Sequence, residues 1–103
     1  MVARIVVPIV GKRGQKYDIV KLVEWKLKEG DRAEKGNTIL TVETEKASCD
    51  VEAGTTGFLH ILVQKEEKAM VGTVVGLITE TKEELEELQK VPTEKLARQF
   101  SFL

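Results

Sequence analysis

Short apolar runs, separated by turn residues, recur in this chain at a spacing of 36 residues, and that repeat constrains the fold more than any other feature. Sliding the sequence by 36 lays Val23-Glu24-Trp25-Lys26-Leu27 over Leu59-His60-Ile61-Leu62-Val63. Ala33 then meets Ala69, Gly36 meets Gly72, and Thr38-Ile39-Leu40-Thr41-Val42 meets Val74-Val75-Gly76-Leu77-Ile78. One copy cannot cover its own apolar face, so the pattern predicts two similar halves of about four strands each, related by a rough two-fold. The runs are about five residues long, which fits an all-β sandwich or barrel.

The turns place the runs. Arg4 to Val10 reads as a first strand, with Pro8 implying an edge or bulge position. Gly11-Lys12-Arg13-Gly14 is a loop, and Asp18 to Lys28 alternates, making Ile19, Leu22 or Val23, Trp25 and Leu27 candidate core residues. Glu29-Gly30-Asp31 and Gly36-Asn37 are turns. Beyond the next two runs come the turn Gly54-Thr55-Thr56-Gly57, the run Phe58 to Gln64, a charged loop, and Thr73 to Thr79.

The segment from Glu80 has a different character. Thr81 is a helix N-cap with Glu84 three residues on, a capping-box spacing, and Pro92 ends that helix. Leu96, Phe100 and Leu103 recur at helical spacing, so a second short amphipathic helix follows. The first helix reads as a solvated linker; for the second, docking on the core and docking on a partner are equally open. The division is therefore residues 1–80, a β domain, and 81–103, a charged helical tail. Alternation and repeat both close by Thr79, so the β domain is expected to fold without residues 82–103.

Chemistry is sparse. Of 103 residues, 42% are hydrophobic and 32% charged, the composition of a globular chain of about one domain. A net charge of -1 lacks the basic footprint of a nucleic-acid binder, and no stretch nears the ~20 apolar residues of a membrane span. No signal peptide is visible in MVARIVVPIVGKRG, so a cytoplasmic location is expected. Cys49, the lone cysteine, lies on the apolar phase of its strand and reads as a small buried hydrophobe; it excludes an internal disulfide. His60, the lone histidine, alternates to the outward face and reads as a surface residue. No nucleophile–base set, phosphate loop or metal-ligand spacing is present.

One stretch stands apart. In TVETEKASCDVEA, Leu40, Val42 and Thr44 share one face, and Ala47, Cys49, Val51 and Ala53 continue the apolar phase beyond Glu45-Lys46. Two such runs make a β-hairpin, yet its tip carries neither Asn-Gly nor Asp-Gly. An exposed lysine, with a pKa near ~10.4, is a poor nucleophile on its own. It is instead a handle, reachable by a modifying enzyme and held by two strands.

VETEKA, residues 42–47, resembles the lysine motif of lipoyl domains in 2-oxo acid dehydrogenase complexes, written ETDKA. Ile19 to Trp25, Lys28-Glu29-Gly30-Asp31, Val51 to Gly57 and Gly72 to Ile78 fall where such domains carry similar segments, so the resemblance covers residues 1 to 80. It implies a flattened barrel of two four-stranded antiparallel sheets with quasi-two-fold symmetry. It also implies lipoate in amide linkage on Lys46, at a protruding turn. Glu43, Thr44, Glu45 and Ala47 would be recognised around that lysine, while Gly30 with Asp31, Gly54 with Gly57, and Gly72 supply structural turns.

The partners implied are a lipoate-attaching enzyme, a thiamine-dependent 2-oxo acid decarboxylase, an acyltransferase core and a flavin dihydrolipoamide dehydrogenase, with no nucleic acid and no membrane. The domain itself would carry and not catalyse, as a fragment or subunit of a dihydrolipoamide acyltransferase. Three departures stand out: Glu45 replaces the usual Asp, Lys65-Glu66-Glu67-Lys68 lacks the glycine that symmetry with Gly30 requires, and the 11–14 loop is basic. The alternatives are a biotin carrier, whose methionine flanks are missing here, a glycine-cleavage carrier, and an unmodified adaptor. PTEKLARQ in the tail resembles the first helix of a peripheral subunit-binding domain.

Overall fold

The structure, a computed structural model, describes residues 2–8, 19–44 and 47–100. The described strands form two four-stranded sheets in which every pairing is antiparallel. The first sheet has the order β1 (Val2–Val6), β8 (Val74–Thr79), β6 (Gly57–Ile61), β3 (Arg32–Ala33). The second has the order β5 (Ser48–Glu52), β4 (Thr38–Glu43), β2 (Ile19–Trp25), β7 (Lys68–Met70). Two helices follow, α1 (Lys82–Gln89) and α2 (Thr93–Phe100). Val20, Leu22, Ile39, Leu40, Val42 and Leu59 are fully buried between the sheets.

The 36-residue repeat is written into the backbone. In one half, Gly30 N donates to Leu59 O and Lys28 N to the Asp31 carboxylate; in the other, Glu66 N donates to Leu22 O and Gln64 N to the Glu67 carboxylate. Gly36 and Gly72 share a φ of 89° and 90°. An extra residue bulges from β4 at Ile39 against β5, and from β8 at Val75 against β1, again 36 apart. At each bulge, two consecutive side chains turn inward, so Ile39 and Leu40 are both buried.

Bulges also correct the core expected from alternation. Val23 is the extra residue of β2 against β4, so the inward phase is Val20 and Leu22 before it and Trp25 and Leu27 after it. Ile19, expected inside, is exposed. Trp25 is half-buried, its indole Nε1 donating to Val63 O at 2.9 Å. Cys49 points inward as expected but is only half-buried, because β5 is an edge strand. β3 and β7 are too short to alternate: β3 lies between the turns expected at 29–31 and 36–37, and β7 lies in what read as a charged loop. The first strand begins earlier than expected and ends at Val6, before Pro8, on the sheet edge. Ile9, Val10, the 11–14 loop, Asp18 and Leu103 lie outside the described residues.

The tail docks. Thr81 caps α1 by accepting from Glu84 N, the Glu84 carboxylate accepts from Glu80 N, and Pro92 separates the helices as expected. Contrary to the solvated reading, α1 anchors through buried Leu85. α2 inserts Leu96 and Phe100 against Leu62, Val74 and Leu77 on the outer face of the first sheet. Arg4 Nη1 donates to Phe100 O at 3.2 Å. Residues 82–100 are therefore no passive appendage: Leu96 and Phe100 cover Leu62, Val74 and Leu77, which would otherwise face water.

Candidate functional site

The hairpin joins β4 to β5, with Glu43 opposite Ser48 and Val42 opposite Cys49. Thr44 N donates to Ala47 O at 2.8 Å, and Ala47 N donates to the Thr44 hydroxyl at 3.3 Å. Thr44 thus ties both strands together at the point where the chain turns, a role a β-branched hydroxyl residue performs without glycine. Ala47 packs its methyl against the core, which fixes the second strand immediately after the turn. Glu45 and Lys46, between Thr44 and Ala47 in sequence, lie outside the described residues.

The expected turn residues occupy distinct places. Gly30, at φ 85°, and Asp31 join β2 to β3, where the Asp31 carboxylate accepts from Lys28 N at 2.9 Å. Gly57 opens β6 where a Cβ would run into the Thr79 carbonyl and come within 2.7 Å of Ile78 Cγ2, so no side chain fits. Gly54 faces open space, and Gly72 turns between β7 and β8. None of these glycines adjoins the hairpin; they serve the frame.

Beside the hairpin lies a cleft of about 300 Å³ lined by Ile19, Lys21, Glu43, Thr44 and Lys68. The sequence reading missed Ile19, Lys21 and Lys68 as neighbours of the site. β7, which carries Lys68, gave no alternation, and Ile19 was assigned to the core.

His60 requires a second correction. It is 6% exposed, because α1 covers the outer face on which it lies. Its Nδ1 is 2.8 Å from Glu29 Oε2, so with the carboxylate ionised, Nδ1 carries the proton and donates. Nε2 is buried without a partner among the described residues. Glu29 also accepts from Ile61 N at 2.6 Å and Gln89 Nε2 at 2.7 Å. Burial pushes its carboxyl up, but the hydrogen bonds from Gln89, Ile61 N–H and His60 outweigh that and hold it below the usual carboxylate range. Among the described residues no group of three metal-binding side chains occurs, and no helix is long and apolar enough to cross a membrane.

The model of a family described as biotin-requiring enzyme, Biotin_lipoyl, matches residues 3–78. The chain belongs to the biotin/lipoyl attachment family. Among its relatives, dihydrolipoyllysine-residue acetyltransferase component 4 of the chloroplastic pyruvate dehydrogenase complex of Arabidopsis thaliana is 43% identical over 68 residues, 65% of this chain and 14% of the relative. The mitochondrial pyruvate dehydrogenase complex protein X component of Chaetomium thermophilum is 33% identical over 75 residues, 71% of this chain and 17% of that protein. The dihydrolipoyllysine-residue acetyltransferase component of the acetoin cleaving system of Pseudomonas putida is 37% identical over 68 residues, 65% of this chain and 18% of that one. This lipoyl-type domain therefore spans less than one fifth of the length of these relatives.

Proposed function

We propose that the chain is a non-catalytic carrier bearing lipoate in amide linkage on Lys46, shuttling acyl groups and reducing equivalents between components of a 2-oxo acid dehydrogenase complex. The observation that carries this is the hairpin: a lysine motif closed by Thr44 and Ala47 in a family whose relatives are named for a lipoylated lysine residue. The closure fits a tethered group, because Thr44 and Ala47 lock the strands while Glu43 and Ser48 beside them stay exposed. Once attached, the dithiolane of such an arm supplies acyl acceptance and two-electron redox chemistry. The tether raises the effective concentration of the carried group at each partner.

In this reading, residues 1–80 carry, while residues 81–103 form a tail beyond the carrier unit. Glu43, Thr44, Glu45 and Ala47 are what a lipoate-attaching enzyme recognises. The other partners are a thiamine-dependent decarboxylase, an acyltransferase core and a flavin dihydrolipoamide dehydrogenase; the location is cytoplasmic. Glu45 and Ala47 in place of flanking methionines favour lipoate over biotin.

The test is the intact mass of the chain from cells supplied with both lipoate and biotin. Addition of one lipoyl group, lost in Lys46→Arg, is expected. A biotin increment would move the function to carboxyl transfer, and an unmodified chain in the presence of excess ligase would leave only the adaptor reading.

A further inference from the structure

Between β4 and β5 the chain reverses through a contact made by a side chain as well as by the backbone. The strands pair as far as Glu43 opposite Ser48, which leaves Thr44 and Ala47 facing each other across two residues. In a four-residue turn the N–H of the last residue ordinarily meets the carbonyl of the first, and tight hairpins place Asn-Gly or Asp-Gly between them. Here the Thr44 hydroxyl accepts from Ala47 N–H at 3.3 Å and donates to Ala47 O at 3.4 Å, while Thr44 N–H donates to that same oxygen at 2.8 Å. The hydroxyl bonds are long, so each adds little to stability. What they restrict is direction, because a β-branched side chain is stiff about its first torsion. Thr44 and Ala47 are half-buried, whereas Glu43 and Ser48 on either side are exposed. A hydroxyl has one proton, and this one goes to Ala47 O, which leaves none for a partner.

We propose that Thr44 is a positioning residue for the acylation of Lys46: its hydroxyl closes the turn on Ala47 and so fixes how the lysine is presented, and its part in recognition is exerted through the turn. The proposal rests on the carrier reading above. Glu45 and Lys46 join two anchored points, and the hydroxyl holds both ends of that two-residue segment together. Closure by a side chain also removes the need for glycine between the anchors, so Glu45 and Lys46 can stand where a tight hairpin carries Asn-Gly. Transfer of an acyl group to an amine demands alignment, and a displacement of about 1 Å costs on the order of 100-fold in rate. A contact too weak to matter for folding therefore matters for modification.

The test follows the transfer catalysed by a purified lipoate–protein ligase, in which lipoate, ATP and the lysine amine yield lipoyl amide, AMP and pyrophosphate. Initial rates come from intact mass at varied concentrations of the chain. Thr44→Val keeps the shape and removes the hydroxyl, and is expected to lower kcat about tenfold with KM unchanged. Thr44→Ser keeps the hydroxyl and is expected to stay within about twofold of the parent. Thr44→Ala, a second variant without the hydroxyl, is expected to behave as Thr44→Val does. Amide hydrogen exchange at Ala47 is expected to quicken in Thr44→Val and Thr44→Ala but not in Thr44→Ser, while circular dichroism confirms that each is folded. Parent kcat in both variants that lack the hydroxyl overturns the positioning role. So does a raised KM with kcat unchanged, which makes the hydroxyl a direct contact, or a Thr44→Ser as slow as Thr44→Val. In all three cases the parent is lipoylated and the carrier reading stands. A parent chain that accepts no lipoate overturns the carrier reading, and the positioning role with it.

Discussion

Repeat-related residues give the two sheets opposite outer faces. On the second sheet these positions are Lys26, Thr38 and Thr41, and Thr41 holds Asp50 by a hydrogen bond of 2.9 Å in solvent. Thirty-six residues later, on the first sheet, they are Leu62, Val74 and Leu77, all buried beneath Leu96 and Phe100. The inner faces and turns obey the two-fold and the outer faces break it. One duplicated frame thus serves two purposes: the half that presents the hairpin is polar at these outer positions, and the other half receives the tail.

Exchanging the residues tests that difference most severely. Leu77→Thr places a hydroxyl under α2 and removes apolar volume, and is expected to lower stability by about 3 kcal/mol in denaturant titration. Thr41→Leu, the reciprocal change on the second sheet, is expected to alter it by less than about 0.5 kcal/mol. Equal effects would mean that the tail does not distinguish the faces.

The smaller, pH-dependent contribution of the covered half lies at Glu29, which joins β6 to α1 through His60, Ile61 and Gln89. Its carboxyl titrates below its ordinary value, so the stability it contributes is present above about pH 4.5 and is lost as pH falls through the lowered, folded-state value. Gln89→Ala is expected to cost about 0.5–1 kcal/mol at pH 7, a modest figure because the carboxylate is partly exposed, and progressively less as pH falls through the lowered, folded-state value. Melting curves across that range check it. A cost independent of pH would assign Gln89 to packing.

The smallest expected effect compares the turns. Gly30 takes φ 85° without strain, whereas Glu66 takes φ 74° with a Cβ. Glu66→Gly removes roughly 1 kcal/mol of backbone strain and loses a surface ion pair with Lys21 worth less, for a net gain near 0.5 kcal/mol in thermal unfolding. Destabilisation instead would show that the Lys21 pair outweighs the conformation.

These particulars also show how far the sequence could be read. The hairpin, the 36-residue repeat and the inward phase of β4 and β5 follow from side-chain alternation, which survives in the fold. Ile19 was misplaced because the Val23 bulge resets the phase within β2, and no residue type marks a bulge of that kind. His60 was misplaced because its cover comes from a helix of distant sequence. A signal was nonetheless present: Leu59 to Val63 and Val74 to Ile78 are apolar on both phases, as strands covered on both faces are. The cleft beside the hairpin was illegible, since it depends on β7, three residues long, pairing with the start of β2.

The docked tail has a mechanical consequence. β8, the strand to which the tail is covalently joined, lies between β1 and β6 inside the first sheet, while the chain leaves the described fold at Phe100, on the outside of that sheet. Tension applied by anything attached beyond Phe100 therefore reaches the Arg4 contact and the Leu96 and Phe100 sockets first, and peels helix from sheet. Only when both helices have been stripped does the load shear β8 against its neighbours. The tail thus stands in series with the β frame, so that a pull from beyond Phe100 meets the helix contacts before it meets the strands.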